Sequence, residues 1–96
     1  MAKLTGAQIA KGIKSLKGWR ASGGAMPAIA KTFNFKNYYE TMAFVNATAW
    51  ISHAEDHHPD LEVGYNKCKV TYSTHSAGGV TEKDLQCAAQ VEGLMK

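Results

Sequence analysis

The sequence predicts an α+β fold in which a four-stranded antiparallel sheet carries its helices on one face. Segments with apolar residues at helical spacing alternate with pairs of short segments in which apolar and polar residues alternate. Capping residues precede the helical segments, and turn residues separate the strands. The predicted order is helix-strand-strand-helix-strand-strand-helix, and such hairpin pairs favour a sheet that is covered on one side. The length of 96 residues predicts one domain over residues 1–96.

The first helix is predicted to begin with a capping box at Thr5–Gln8 and to end at Gly18. Its apolar face is formed by Ile9, Ile13 and Leu16. An extended segment begins at Trp19, and the turn residues at 22–24 indicate a hairpin. Residues 29–35 alternate between apolar and polar side chains, which predicts a half-buried strand.

The central helix is predicted to begin at Asn37, in a second capping box. Apolar residues then recur along one predicted core face, at Tyr38, Met42, Val45 and Ala49. Two further steps of four extend this face to His53 and His57. The helix is therefore expected to present two imidazoles, one turn apart, near its C-terminal end. Pro59 disfavours the helical conformation at His58 and is expected to end the helix there.

The second half begins with a short predicted strand over residues 61–65, followed by a longer one over residues 67–75. One side of the longer strand carries Cys68, Val70 and Tyr72, and the other side ends at His75. A loop follows, and the last helix is predicted to begin with a third capping box in which Asp84 caps Thr81. The predicted apolar side of this helix is formed by Leu85, Ala88, Ala89 and Leu94.

Composition excludes several classes of protein. The net charge is +3, and the basic residues are scattered, so the sequence lacks the dense basic stripe that direct nucleic-acid binding needs. Cys68 and Cys87 form no CxxC motif and are interpreted as buried, reduced residues. The sequence contains neither a signal-peptide pattern nor an apolar stretch long enough to span a membrane. We therefore expect a cytoplasmic protein without membrane contact.

All four histidines fall between residues 53 and 75, and three of them, His57, His58 and His75, lie where the chain is expected to change direction. Imidazole can give and take a proton near neutral pH. One hypothesis is a zinc site formed by His53, His57 and His75, although the spacing matches neither HExxH nor HxxEH. The other is acid–base catalysis without a metal, in which one histidine protonates a leaving oxygen and another removes a proton. The residues alone leave both hypotheses open.

The histidines belong to a longer pattern, which consists of His53, His57, His58, Pro59, Tyr65, His75 and Asp84. Their spacings resemble the motif of the pterin-4a-carbinolamine dehydratase family, also called the dimerization cofactors of a liver homeodomain transcription factor. The resemblance extends to residues 18–19, 33–35 and 78–81 and covers nearly the whole chain. Two departures stand out: many members carry Glu where this chain has His53, and Trp where it has Leu61.

The resemblance implies the same α+β fold, assembled as a homodimer or homotetramer. It also implies a hydro-lyase that dehydrates 4a-hydroxytetrahydrobiopterin to quinonoid dihydrobiopterin during tetrahydrobiopterin recycling. An aromatic amino acid hydroxylase would supply this pterin. No metal and no organic cofactor is implied.

The resemblance also implies roles for individual residues. The catalytic residues would be His57, His58 and His75, with His57 and His75 exchanging protons with the substrate and His58 chiefly orienting the pterin. The substrate-binding residues would be His53, Asp56, Pro59, Ser73, Thr74 and Ser76. The alternatives are a non-catalytic protein that stabilises the dimeric helices of a transcription factor, in which case it would also be nuclear, and a histidine-based metal-binding protein.

Overall fold

The computed structural model describes residues 2–95. The elements follow the predicted order. They are α1 (Gly6–Ile13), β1 (Arg20–Ser22), β2 (Ala28–Asn34), α2 (Tyr38–Glu55), β3 (Asp60–Val63), β4 (Lys67–Tyr72), a short 3₁₀ helix (His75–Ala77) and α3 (Glu82–Gly93).

The four strands form one antiparallel sheet in the order β1-β2-β4-β3. The two central strands pair from Ile29 with Tyr72 to Asn34 with Lys67, with Phe33 of β2 opposite Cys68 of β4. On the other side of β4, Val63 of β3 pairs with the same cysteine. The strands nearest in sequence form the outer hairpins, and the pairing of β2 with β4 joins the two halves of the chain.

One face of the sheet is covered by the helices, as predicted. Ile29 and Phe33 on β2 are buried, and so are the alternate residues of β4, namely Cys68, Val70 and Tyr72. They pack with the buried side chains of all three helices in one core. The opposite face carries the exposed Thr32 and Lys69. The period of two in the sequence therefore identified the buried side of both central strands.

The first helix begins as predicted, since Thr5 and Gln8 form a reciprocal capping box. Its predicted end at Gly18 is wrong, because the helix ends at Ile13. Tight turns follow, in which the amide of Leu16 donates to the carbonyl of Ile13 and Gly18 has a positive φ of 88°. These turns bring Trp19 into the core, where it is 4% exposed.

The predicted core face of α2 is wrong. Its buried residues are Thr41, Phe44, Thr48 and Ile51, whereas Tyr38, Ala49 and His53 are exposed. Two threonines can face the core because their hydroxyls donate to helix carbonyls, that of Thr41 to Asn37 and that of Thr48 to Val45. The two threonines thus share the buried side with Phe44 and Ile51, while three other aromatic residues lie on the exposed side, namely Tyr38, Tyr39 and Trp50.

Smaller corrections concern the second half. Strand β4 ends at Tyr72, so His75 lies in the 3₁₀ helix and not at the end of a strand. Helix α3 buries Asp84, Cys87, Ala88 and Val91, so that the predicted core residues Ala89 and Leu94 are exposed. Cys68 and Cys87 are buried and free, as predicted. Within residues 2–95, no helix is long and apolar enough to cross a membrane.

Candidate active site

The site begins where α2 ends. The helix stops at Glu55, and Asp56 adopts a left-handed conformation with φ 52° and ψ 43°. The amides of Asp56 and His57 both donate to the carbonyl of Ser52, which closes the helix end. The helix therefore ends earlier than Pro59 alone predicts, and His57 does not continue the helical face of His53.

This turn places the His57 ring against the first turn of α3. Its Nε2 lies 2.6 Å from Oδ1 of Asp84, whose side chain is 0% exposed. The other carboxylate oxygen accepts hydrogen bonds from the Thr74 hydroxyl and from the Thr81 amide, each at 2.8 Å. The predicted capping box of Thr81 and Asp84 is thus confirmed. Sequence reasoning missed the contact with His57, although Asp84 stands in the motif described above.

The hydrogen bond to Asp84 decides which nitrogen of His57 carries the proton in the neutral ring. An ionised carboxylate only accepts, so Nε2 carries a proton whenever Asp84 is charged. In the neutral ring, Nδ1 is then the basic nitrogen. Within residues 2–95, Nδ1 makes no hydrogen bond to the protein. His57 therefore combines an anchored edge with a free basic edge.

A cavity of about 240 Å³ brings seven predicted site residues together. It is lined by Asp56, His57, His58, Ser73, Thr74, His75 and Ser76. Two segments of the chain supply these residues: residues 56–58 after α2, and residues 73–76, which lead from the end of β4 into the 3₁₀ helix. Larger depressions of about 430 and 460 Å³ lie on the open face of the sheet, but no histidine lines them.

The three histidines of the cavity differ in exposure. The His57 side chain is 15% exposed, whereas His58 and His75 are exposed. His58 makes one weak contact, from Nδ1 to the carbonyl oxygen of Pro59 at 3.4 Å. Within the described residues, the His75 side chain makes no hydrogen bond. One ring is therefore held by the protein, and two are free to adjust.

Two predicted substrate-binding residues do not line this cavity. His53 lies on the exposed side of α2, where its ring is 5.5 Å from that of Trp50. Pro59 follows the cavity residues in the chain without lining the cavity itself. Residues 2–95 contain no group of three or more His, Cys, Asp or Glu side chains placed to hold a metal ion. The hypothetical zinc ligands His53, His57 and His75 are therefore not grouped in one chain.

A second contact joins the same two helix ends. Lys83 donates to Oε1 of Glu55 at 2.8 Å, and Gln90 donates to Oε2 at 2.9 Å. The hydrogen bond from Lys83 and then that from Gln90 lower the pKa of Glu55, and the same ion pair raises the pKa of Lys83. This pair flanks the contact of His57 with Asp84, so the end of α2 is attached to α3 at two neighbouring points.

Comparisons with known proteins extend over the same residues. The family model for pterin 4 alpha carbinolamine dehydratase matches residues 2–94. A protein of Nitrosospira multiformis named "Putative pterin-4-alpha-carbinolamine dehydratase" is 53% identical over 96 residues, which cover 100% of this chain and 82% of the relative. A protein of Nitrosomonas eutropha with the same name is 57% identical over 79 residues, which cover 82% of this chain and 67% of the relative.

Two solved structures also resemble this chain. One is a transcriptional coactivator/pterin dehydratase from Brucella melitensis, with a TM-score of 0.89 and 33% identity over 96% of this chain and 97% of the other. The second is a pterin dehydratase-like protein identified as a RuBisCO assembly factor in the alpha-carboxysome, with a TM-score of 0.69 and 29% identity over 80% and 88% of the two chains. The family match, the identities and the fold agree, and the chain belongs to the pterin-4-alpha-carbinolamine dehydratase family.

Proposed function

We propose that the protein dehydrates 4a-hydroxytetrahydrobiopterin to quinonoid dihydrobiopterin, as one step of tetrahydrobiopterin recycling. The observation that carries the proposal is His57, which lines a cavity together with His58 and His75 and whose Nε2 is held by a buried carboxylate, so that Nδ1 is left without a protein partner within residues 2–95. Such a ring can remove a proton and stabilise the positive charge that it gains. Membership of the family supports a pterin as the substrate.

The reaction needs one proton removed and one supplied. His57 takes the proton from the ring nitrogen N5 through Nδ1, and the electron pair of that bond forms the C4a=N5 double bond. The bond from C4a to the hydroxyl breaks, and His75 protonates the departing oxygen, which leaves as water. The Asp84 carboxylate, 2.6 Å from Nε2, stabilises the imidazolium formed at His57. Each such proton transfer is worth roughly 10²–10⁴ in rate.

The remaining cavity residues hold the pterin. His58 orients the ring, together with Asp56 and the hydroxyls and backbone groups of residues 73–76. The hydroxyl of Ser73 donates to the carbonyl of Pro27 at 2.7 Å, and that of Thr74 donates to Asp84 at 2.8 Å. These two hydroxyls therefore offer the substrate acceptor lone pairs and not protons. His53 and Pro59 stay predicted contacts that a single chain does not bring into the cavity.

The test is the decay of enzymatically generated 4a-hydroxytetrahydrobiopterin, followed by absorbance against the uncatalysed rate in buffer. The wild type is expected to accelerate the decay, and His57→Ala and His75→Ala are each expected to reduce kcat by about 10² or more. His75 is exposed, so His75→Ala should keep an unfolding midpoint near that of the wild type. His57 is 15% exposed and contacts the buried Asp84, so His57→Ala should unfold at a lower temperature and is assayed well below its midpoint. A wild-type rate equal to that of buffer, or full activity in the double variant, would refute the proposal.

A second function, protein binding, is favoured by the exposed side of α2. Tyr39 is 81% exposed and Trp50 is 71% exposed on the side of the helix that faces away from the sheet. Large exposed aromatic side chains on one helix are typical of contact surfaces. They suit assembly of the chain as a homodimer or homotetramer, and equally a helical protein partner. The two solved relatives are described as a coactivator and as an assembly factor, which supports this candidate.

Light scattering separates these possibilities. A homo-oligomer that becomes monomeric in Trp50→Glu while His57→Ala leaves its mass unchanged would support self-association through α2. A monomeric wild type would exclude it. The link to an aromatic amino acid hydroxylase belongs to the catalytic proposal and would fail with it if the pterin assay were negative. The cytoplasmic location stays a prediction from the sequence and does not depend on this assay.

A further inference from the structure

Tyr72 lies directly beneath the candidate active site. It is the last residue of β4, is 0% exposed and immediately precedes the cavity residues Ser73 and Thr74. Its ring is nearly parallel to that of His57, with the centroids 5.9 Å apart and the planes at 15°. On another side it meets Trp19, with the centroids 6.3 Å apart. The Tyr72 ring thus connects the hydrophobic core, at Trp19, with the imidazole of His57.

The contact with Tyr72 complements the contact with Asp84. The hydrogen bond holds one nitrogen of His57 but leaves the plane of its ring free to tilt about that point. A parallel aromatic ring restricts the tilt, because offset stacking favours one relative orientation of the planes. The two restraints come from different elements, α3 and β4. Together they fix both the position of Nε2 and the plane of the ring, and hence the direction of Nδ1.

We propose that Tyr72 is a positioning residue, whose aromatic ring holds the plane of the His57 imidazole so that Nδ1 is aimed at the substrate. The expected effect of Tyr72 on kcat rests on the proposed function. The structural consequence, a single fixed arrangement of the His57 ring, holds in the protein without substrate.

The tyrosine hydroxyl does not contribute to this role. Its oxygen is buried without a hydrogen bond, and its polar neighbour is the thiol of Cys87, which is only a weak donor and acceptor. Burial, together with the nearby Cys87 and Asp84, raises the pKa of Tyr72 far above its usual value. Burial likewise raises the pKa of Cys87 to about 11. Both groups therefore stay neutral near pH 7. The contact that Tyr72 offers to His57 is made by its aromatic ring and not by its hydroxyl.

Two substitutions separate the ring from the hydroxyl. Tyr72→Phe keeps the ring and is expected to keep kcat within about twofold of the wild type. Tyr72→Leu keeps an apolar side chain but removes the ring, and is expected to lower kcat roughly tenfold while KM changes less than about threefold. Tyr72→Met serves as a second ring-free variant if the leucine variant does not fold. Val70→Ala is the matched control, because Val70 is also fully buried on β4, and its loss should lower stability while leaving kcat near that of the wild type.

Crystal structures of the substrate-free protein and its variants test the positioning itself. The wild type and Tyr72→Phe should show the His57 ring in one orientation. In Tyr72→Leu the ring should tilt or occupy more than one orientation while Nε2 stays close to Asp84. This result would support the positioning role even if the protein proved not to be a dehydratase. A ring-free variant with wild-type kcat, or with the His57 ring in its wild-type orientation, would overturn the inference.

Discussion

His57 differs from the other two histidines of the same cavity. His57 is 15% exposed and is held at Nε2 by Asp84, whereas His58 and His75 are exposed and lack such an anchor. The difference indicates that the cavity has a fixed half, formed by His57 with Asp84, and an adjustable half, formed by the two exposed rings. A group fixed before the substrate arrives needs no reorganisation during the reaction. We therefore expect the fixed half to hold the base in place before the substrate arrives and the adjustable half to follow the substrate.

The largest expected effect comes from breaking the anchor. In Asp84→Asn, the amide nitrogen can donate to Nε2 and thereby force the His57 proton onto Nδ1, the nitrogen that should accept. We expect kcat to fall by roughly 10² or more, with a smaller change in KM. Steady-state kinetics with the 4a-hydroxypterin substrate measures both values.

Asn37→Ala is the control for the capping role of Asp84. Asn37 caps α2 by accepting a hydrogen bond from the Glu40 amide at 3.0 Å, and its loss should cost about 1 kcal/mol without touching the cavity. Its kcat should match that of the wild type. If both variants lost activity in proportion to their loss of stability, the anchor would have no role of its own.

An effect of intermediate size is expected on stability, from a substitution at Tyr72, which lies beneath His57. Tyr72→Phe removes a buried hydroxyl that makes no hydrogen bond, so the free energy of unfolding should rise by about 1 kcal/mol. Urea denaturation measures it. Tyr65→Phe is the matched control, because Tyr65 is 66% exposed and its hydroxyl has access to water, so its stability should not change. A destabilised Tyr72→Phe would mean that the contact with Cys87 is a real hydrogen bond.

A smaller effect should follow from the ion pair that flanks the anchor. The lowered pKa of Glu55 means that its contribution to stability is present above the unfolded value near 4.5 and is lost as the pH falls through the lower folded value. Glu55→Gln should therefore unfold at a slightly lower temperature than the wild type at pH 7, and the difference should vanish in strong acid. Thermal unfolding across this pH range measures it, and a difference that persisted at the lowest pH would contradict the assignment.

The smallest effect is expected outside the cavity. His53 lies against Trp50 on the exposed side of α2, so His53→Ala should change kcat/KM by no more than about twofold. The same assay measures it, with His57→Ala as the matched loss of an imidazole. A tenfold loss would restore His53 as a substrate contact and would require the exposed side of α2 to take part in the site.

Helix starts and the buried face of the sheet were predicted correctly from local sequence patterns. The capping boxes at Thr5 and Thr81 placed the starts of two helices, and the alternation along β2 and β4 identified the buried face of the sheet. Each of these features depends on residues close together in the chain, and such features can be read from one sequence. The motif spacing supplied three of the seven residues that line the cavity, His57, His58 and His75, and the family resemblance implied the other four.

The predictions were wrong or incomplete for features that depend on contacts between residues far apart in the chain. Both sides of α2 carry apolar or aromatic residues, and the side that packs is the one where Thr41 and Thr48 satisfy their hydroxyls within the helix. The left-handed conformation of Asp56 redirects the chain before Pro59 can end the helix. The contact between His57 and Asp84 spans 27 residues, and no local periodicity reports it. The members of the site were thus predictable, but their partners were not.

The double role of Asp84 couples the unfolding of the first turn of α3 to the loss of activity. The same carboxylate caps the first turn of α3 and orients the reacting imidazole. Fraying of this single helical turn would therefore inactivate the site while the sheet is still folded. On heating, turnover should consequently cease some degrees below the global melting point, and it should return on cooling without any refolding step.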